Sequence, residues 1–268
     1  EDIVFSDDNK TWYLTCMGSN KIIVGDAVAD KPVKTLAATG KAFIKYPHGI
    51  AVHSGIDRML VTTSIRASDL GDAGETVTEI EASSGRVLAV HKVTADPAKG
   101  KSPVEILFLP GSNPPRAYIS NMFGGSLSLA TWNPGKKTFS VKQVLDLSPH
   151  KGGVPLEIYF NEKADRLYLT TANPGMFHII DIENPETPKV LKTIRAAGGA
   201  HHVAFDKGGK YAFVQNNLLG LKGMNDGSIT VIDMKKEKRI GSIDTFKNRG
   251  LLPNLIVLLP KWNLDAGH

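Results

Sequence analysis

Tyr13-Leu14-Thr15-Cys16, Leu60-Val61-Thr62-Thr63, Tyr118-Ile119-Ser120-Asn121, Tyr168-Leu169-Thr170-Thr171 and Phe213-Val214-Gln215-Asn216 are five imperfect copies of one phrase. Their second residues stand 47, 58, 50 and 45 positions apart. Self-similarity at such a period marks a repeat architecture. A short apolar run precedes each copy: Ile3-Val4-Phe5, Ile50-Ala51-Val52, Ile106-Leu107-Phe108, Ile158-Tyr159-Phe160 and Val203-Ala204-Phe205. Between run and phrase lies a polar turn, such as Ser6–Lys10 or Asp206–Lys210, whose Asp, Asn and Gly residues suit tight turns. A third run follows, as in Phe177–Asp181 and Ile229–Asp233, then a charged turn and a fourth run, as in Val190–Ile194 and Arg239–Ile243.

Four short runs separated by turn signals describe a four-stranded antiparallel sheet per repeat. No window sustains apolar residues at helical spacing over three turns, so almost no helix is expected. Sheets of this kind stacked radially form a β-propeller, which leaves only short, protected edges. The expected fold is therefore all-β, a propeller of four-stranded antiparallel blades with five complete blades visible. A single domain over residues 1–268 is expected, with blades at about 2–46, 47–101, 102–152, 153–198 and 199–248, and with 249–268 as the first strand of a closing blade and its tail. That strand, Leu252–Leu259, has no partners in the sequence given, which points to missing upstream sequence and a seven-bladed ring; the alternative is a five-bladed ring with this strand laid on its edge.

The repeat resembles that of the YVTN β-propeller family, which pairs a Pro-x-x-Ile/Val-x-Phe strand, a Ser-Pro-Asp-Gly-Lys-like turn, the Tyr-Val-Thr-Asn phrase and a Val-Ile-Asp strand. The match covers nearly the whole chain and is best in Gly153–Arg195 and Gly199–Asp244. The resemblance implies a bacterial or archaeal envelope or periplasmic propeller, and it allows a subunit of a haem or quinone redox complex. It does not by itself imply a function, because one fold serves many.

Composition narrows the classes. Hydrophobic residues make up 41% of the chain, ample for a core, and 26 glycines with 15 prolines fit a turn-rich all-β protein. The most apolar stretch, Leu251–Pro260, is too short to span a membrane. The net charge of +5 is spread over turn lysines, and only 7% of residues are aromatic, so no nucleic-acid groove is expected. A single cysteine, Cys16, excludes an internal disulfide and reads as a small buried side chain. That scarcity and a start at Glu1-Asp2 fit a processed or truncated periplasmic or extracellular protein.

Aligning the first strands brings distant residues into register. The pairs before the apolar runs are Glu1-Asp2, His48-Gly49, Val104-Glu105, Leu156-Glu157, His201-His202 and Asn254-Leu255. First strands are innermost in a propeller, so these pairs ring the mouth of the central channel. Asp2, Glu105, Glu157 and His202 share one slot, and His48 and His201 share the other. Adjacent strand residues face opposite ways, so both slots can turn inward only where the backbone is irregular. Imidazoles with carboxylates suit copper, zinc or iron, which makes His48, His201, His202, Glu105, Glu157 and Asp2 the candidate metal ligands. The plainer reading has these polar residues capping the channel and binding water. His53, His91, His150, His178 and His268 read as packed or solvated; His150 and His268 lie where their loops could bring them to the same rim.

Two long loops, 64–75 and 217–227, are expected on that face, and long loops on a rigid scaffold carry binding. Leu218, Leu219, Leu221 and Met224 are expected to be exposed there for a protein partner. Asp69, Asp72 and Glu75 lack calcium-loop spacing. Nucleophile-elbow, phosphate-loop, His-Glu-x-x-His and Cys-x-x-Cys-His motifs are absent, which excludes covalent haem on this chain. Two functions stand: a non-catalytic or accessory propeller presenting a loop-rich face to a protein partner, and a metal-dependent oxidoreductase or lactonase-type hydrolase. A lactonase would need an acid/Asn ring, for which Glu105, Glu157 and Asn254 are the available residues.

Overall fold

The computed structural model describes residues 2–37, 44–66, 68 and 70–257. Its strands follow the repeat in order. Blade one holds β1 (Ile3–Phe5), β2 (Thr11–Cys16), β3 (Lys21–Asp26) and β4 (Lys31–Ala37); blade two holds β5 (Pro47–His53), β6 (Arg58–Thr63), β7 (Thr76–Glu81) and β8 (Val87–Lys92). Blade three holds β9 (Pro103–Phe108), β10 (Arg116–Asn121), β11 (Ser126–Asn133) and β12 (Thr138–Asp146). Blade four holds β13 (Pro155–Phe160), β14 (Arg166–Ala172), β15 (Gly175–Asp181) and β16 (Lys189–Arg195); blade five holds β17 (Ala200–Phe205), β18 (Tyr211–Asn216), β19 (Ile229–Asp233) and β20 (Lys238–Ile243). Each blade is a four-stranded antiparallel meander, and every copy of the phrase lies in a second strand. No α-helix occurs among the described residues, only short 3₁₀ turns.

The turns form as their residues dictate. In the β1–β2 turn Asp8 accepts from the Ser6 hydroxyl and the Lys10 amide, while Asn9 takes the left-handed conformation. In the β17–β18 turn the Asp206 carboxylate accepts the Tyr211 amide at 2.6 Å and Gly209 supplies the positive φ.

The chain divides into two compact units, Glu1–Asp146 and Leu147–His268. Within each, the core lies between neighbouring sheets. Because side chains alternate along a strand, β6 sends Met59 and Val61 to one face and Leu60 to the other. Met59 and Val61 pack with Tyr13, Ile22 and Leu36 of blade one, while Leu60 packs with Ile106, Ile119 and Phe139 of blade three. In the second unit Phe177, Ile179 and Ile194 meet Val203, Val214 and Ile232.

Innermost strands of neighbouring blades run side by side: β1 with β5, β5 with β9, and β13 with β17. Near the start of each complete innermost strand the register slips by one residue. The slip falls between Pro47 and Ile50, Pro103 and Ile106, Pro155 and Ile158, and Ala200 and Val203. The bulges contain His48-Gly49, Val104-Glu105, Leu156-Glu157 and His201-His202, the pairs that the sequence aligns. A bulge re-aims side chains that regular pleating would send to opposite faces.

Residues 251–257 form no strand, in contrast to the strand expected at Leu252–Leu259; residues 258 and 259 lie outside the described set. No other strand pairs with this segment among the described residues, and an isolated extended segment lacks the ladder that defines a strand.

Candidate metal site

The third residue of the repeated phrase holds the bulge in place. Hydroxyls of Thr15, Thr62, Ser120 and Thr170 accept the backbone amides of Asp2, Gly49, Glu105 and Glu157. Thr15 and Thr62 also donate to the carbonyls of His48 and Val104 on the next innermost strand, at 2.6 and 2.8 Å. One hydroxyl thus ties its own blade to its neighbour. In blade five the longer Gln215 takes this place, accepting the His202 amide at 3.3 Å and donating to the Pro253 carbonyl at 2.5 Å. The fourth residue works outward: the Asn216 amide nitrogen donates to the Ser228 and Thr230 hydroxyls, and Asn121 does the same for Ser126 and Ser128.

A bulge also leaves a backbone amide to be satisfied at the first residue of the apolar run. In the first unit carboxylates accept it. Asp2 Oδ2 takes the Ile50 amide at 3.1 Å, and Glu105 Oε1 takes that of Ile106 at 2.8 Å. At Gly49 the next strand comes so close that a Cβ would fall 2.3 Å from the Val104 carbonyl oxygen, so this slot admits no side chain in blade two. The His48 imidazole is half-buried.

The second unit is arranged differently. The Val203 amide donates to the Tyr159 hydroxyl at 2.9 Å. The Glu157 carboxylate, 2% exposed, lies against two imidazoles: Oε1 is 3.2 Å from His201 Nε2 and 3.8 Å from His202 Nδ1. The two rings lean on each other with centroids 3.9 Å apart. One potential ligand atom from each of the three residues falls within 4.8 Å of the others, the single grouping of this kind among the described residues. His201 Nδ1 is buried and has no hydrogen-bond partner among the described residues. Two ligand atoms about 2.0–2.1 Å from zinc in a tetrahedron lie ~3.3 Å apart, which the 3.2 Å His201–Glu157 spacing matches and the 3.8 Å His202–Glu157 spacing exceeds.

Of the six sequence candidates, the second unit gathers Glu157, His201 and His202, while in the first unit Asp2 and Glu105 hold backbone amides. The remaining histidines resolve individually. His53 packs edge-on against Phe108. His178 is bonded on both ring nitrogens, to Thr171 and Thr193, and burial with a lesser push from His150 lowers its pKa to about 4. His150 sits in a 3₁₀ turn, and His268 lies outside the described residues. His91 belongs to a network that sequence reading missed. Its Nε2 meets fully buried Glu79 at 2.8 Å, and Glu79 also holds Arg58, the Thr138 hydroxyl and the Phe139 amide. Burial alone would raise the Glu79 pKa, but these bonds outweigh it and lower the value.

The blade-five loop needs a correction. Leu218, expected to be exposed, is buried, because its amide bonds the Met224 carbonyl and folds the loop onto itself; Leu221 and Met224 are half-buried, and Leu219 is exposed. Asp72 of the blade-two loop is held by Lys45 at 2.7 Å and the Tyr46 hydroxyl at 3.0 Å; Ala67 and Asp69 lie outside the described residues. Cys16 is half-buried rather than buried, since it closes β2 beside an exposed turn.

Comparison with solved structures places this arrangement on a known fold. A hypothetical selenium-binding protein from Sulfolobus tokodaii is similar, with TM-score 0.69 and 12% identity over 86% of this chain and 62% of its own. Hydrazine synthase from Kuenenia stuttgartiensis matches with TM-score 0.59 and 16% identity over 87% of this chain and 62% of its own. The Dos1 propeller matches with TM-score 0.58 and 17% identity, over 90% and 57%. The fold is a β-propeller. The chain spans less than two thirds of each of these proteins, and identities this low speak for the fold alone. No protein-family model and no curated protein matches the sequence. No helix among the described residues is long and apolar enough to cross a membrane.

Proposed function

We propose that this propeller binds one divalent transition-metal ion through Glu157, His201 and His202. The observation that carries the reading is the convergence of three ligand atoms within 4.8 Å from two neighbouring bulged innermost strands, β13 and β17. Two imidazoles and one carboxylate, without thiolate, suit zinc or iron(II) better than copper(I). Three protein ligands leave further coordination positions for water or a substrate, as in metal sites that perform chemistry. The proposal keeps the resemblance to YVTN propellers, whose members include accessory subunits of redox complexes, and it makes metal-assisted chemistry the role of the site.

The test is metal analysis of the purified protein before and after dialysis against zinc or iron(II). One equivalent per chain in wild type, lost in His202→Ala with an unchanged circular dichroism spectrum, is the expected result. Wild-type protein that stays metal-free after reconstitution overturns the reading.

A partner-binding role is the second reading. It is supported by the exposed side chains of Leu219, Leu251, Leu252 and Leu255, since the 251–257 segment lies along the blade-five loop. A protein partner held there would protect residues 217–227 from hydrogen exchange in a complex recovered from native membranes or medium.

A further inference from the structure

Apart from the imidazole cluster, the second unit has a cleft of about 500 Å³ between blades four and five. Its floor is mostly backbone. At Gly175 and Gly198 neighbouring strands and loops approach so closely that a Cβ would fall 1.7 Å from the Ala197 carbonyl oxygen and 2.4 Å from that of Gly223. No large apolar side chain lines it. The walls carry Arg195, at the end of β16, and Arg239, in β20, with Lys247 and the acids Asp226 and Asp244.

The acids are already engaged within the protein. Asp226 accepts from Lys247 at 2.7 Å and from the Ser228 hydroxyl, and these bonds lower its pKa although burial opposes them. Asp244 accepts the Ser242 hydroxyl at 2.5 Å. The arginines are not so engaged. The Arg195 guanidinium makes no ion pair or hydrogen bond among the described residues, and Arg239 makes one long bond, from Nε to the Gly241 carbonyl at 3.4 Å. Arg239 is also near enough to work against the charge of Lys247. Two guanidinium forks without carboxylate partners therefore border one open polar volume. A planar fork of donors matches the paired oxygens of a phosphate or carboxylate.

We propose that this cleft binds a small oxyanion-bearing ligand, a phosphorylated or carboxylated molecule, with Arg195 and Arg239 as its anchors. The cleft shares no lining residue with the imidazole cluster and needs no metal.

Inorganic phosphate and succinate, each titrated by calorimetry at fixed ionic strength near 0.15 M, distinguish the two sources of the anion. Fixed salt keeps the general attraction of a basic surface screened and equal between titrations. Wild type should bind at least one probe saturably at one site. The double variant Arg195→Ala/Arg239→Ala should bind it at least tenfold more weakly, with an unchanged thermal melt because both side chains are exposed. His202→Ala should leave anion binding as it was, which separates this site from the proposed metal site. Absence of saturable binding by either probe, or a double variant within tenfold of wild type, overturns the proposal.

Discussion

Two buried carboxylates at matching positions in the repeat, Asp2 in blade one and Glu157 in blade four, do different work. Each precedes an apolar run, and each is beside a neighbouring strand whose bulge leaves an amide to satisfy. Asp2 accepts that amide, from Ile50. In blade four Tyr159 accepts the equivalent amide, from Val203, and Glu157 faces His201 and His202. The lesson is that a propeller bulge needs an acceptor, and the residue that supplies it decides whether the carboxylate is structural or available for chemistry.

The largest expected effect tests the structural half of this contrast. Glu79, like Asp2, is a first-unit carboxylate spoken for by the fold, and it joins blade two to the Thr138 hydroxyl and Phe139 amide of blade three. Its removal leaves Arg58 and His91 without their buried partner. We expect Glu79→Ala to cost about 3–5 kcal/mol, the range for breaking a buried ion pair from one side. Glu157→Ala should cost far less stability in metal-free protein. Chemical denaturation of both variants decides it, and equal losses would break the comparison. The sign of the pH effect follows from the lowered Glu79 pKa: its contribution is complete above the ordinary glutamate range and is lost as pH falls through the depressed folded value.

A buried histidine that the fold fully satisfies provides the next contrast with His201. His178 stays neutral to about pH 4 in the folded state, whereas an unfolded histidine protonates near 6.5. Between those values the unfolded chain binds the extra proton, so stability falls as pH drops from about 6.5 to about 4. The full effect is about 3 kcal/mol. Denaturation midpoints at pH 7, 5.5 and 4.5 should show this slope in wild type and a flatter one in His178→Gln. An unchanged slope in the variant would assign the acid sensitivity to other groups.

Much of this was legible in the sequence because it repeats. Alternation and turn chemistry located the strands, and the register of the phrase brought Glu157, His201 and His202 to one level although they are distant along the chain. The sequence did not reveal which aligned acids the backbone would claim. That choice rests on bulge geometry and on Tyr159, whose hydroxyl stands where other copies have Val4, Ala51, Leu107 and Ala204. Gln215, the one long side chain in a slot of Thr and Ser, was a comparable signal. Glu79 was hidden for a different reason: Arg58, His91 and Thr138 come from three strands with no shared position in the repeat, so only tertiary packing joins them.

The smallest expected effect tests the comparison most directly. Tyr159→Phe removes the acceptor for the Val203 amide, while the ring still packs on Phe205 at a centroid distance of 5.6 Å. Leaving a buried amide unmatched costs roughly 1–3 kcal/mol, and recruitment of a new acceptor recovers part of that. The available acceptor is the Glu157 carboxylate, in the role that Asp2 has toward Ile50. A stability loss of about 1 kcal/mol should therefore accompany zinc binding weakened by tenfold or more. A variant that loses stability but binds zinc like wild type would show that Tyr159 only satisfies the bulge. A variant with both effects would show that one hydroxyl separates a structural carboxylate from a metal ligand.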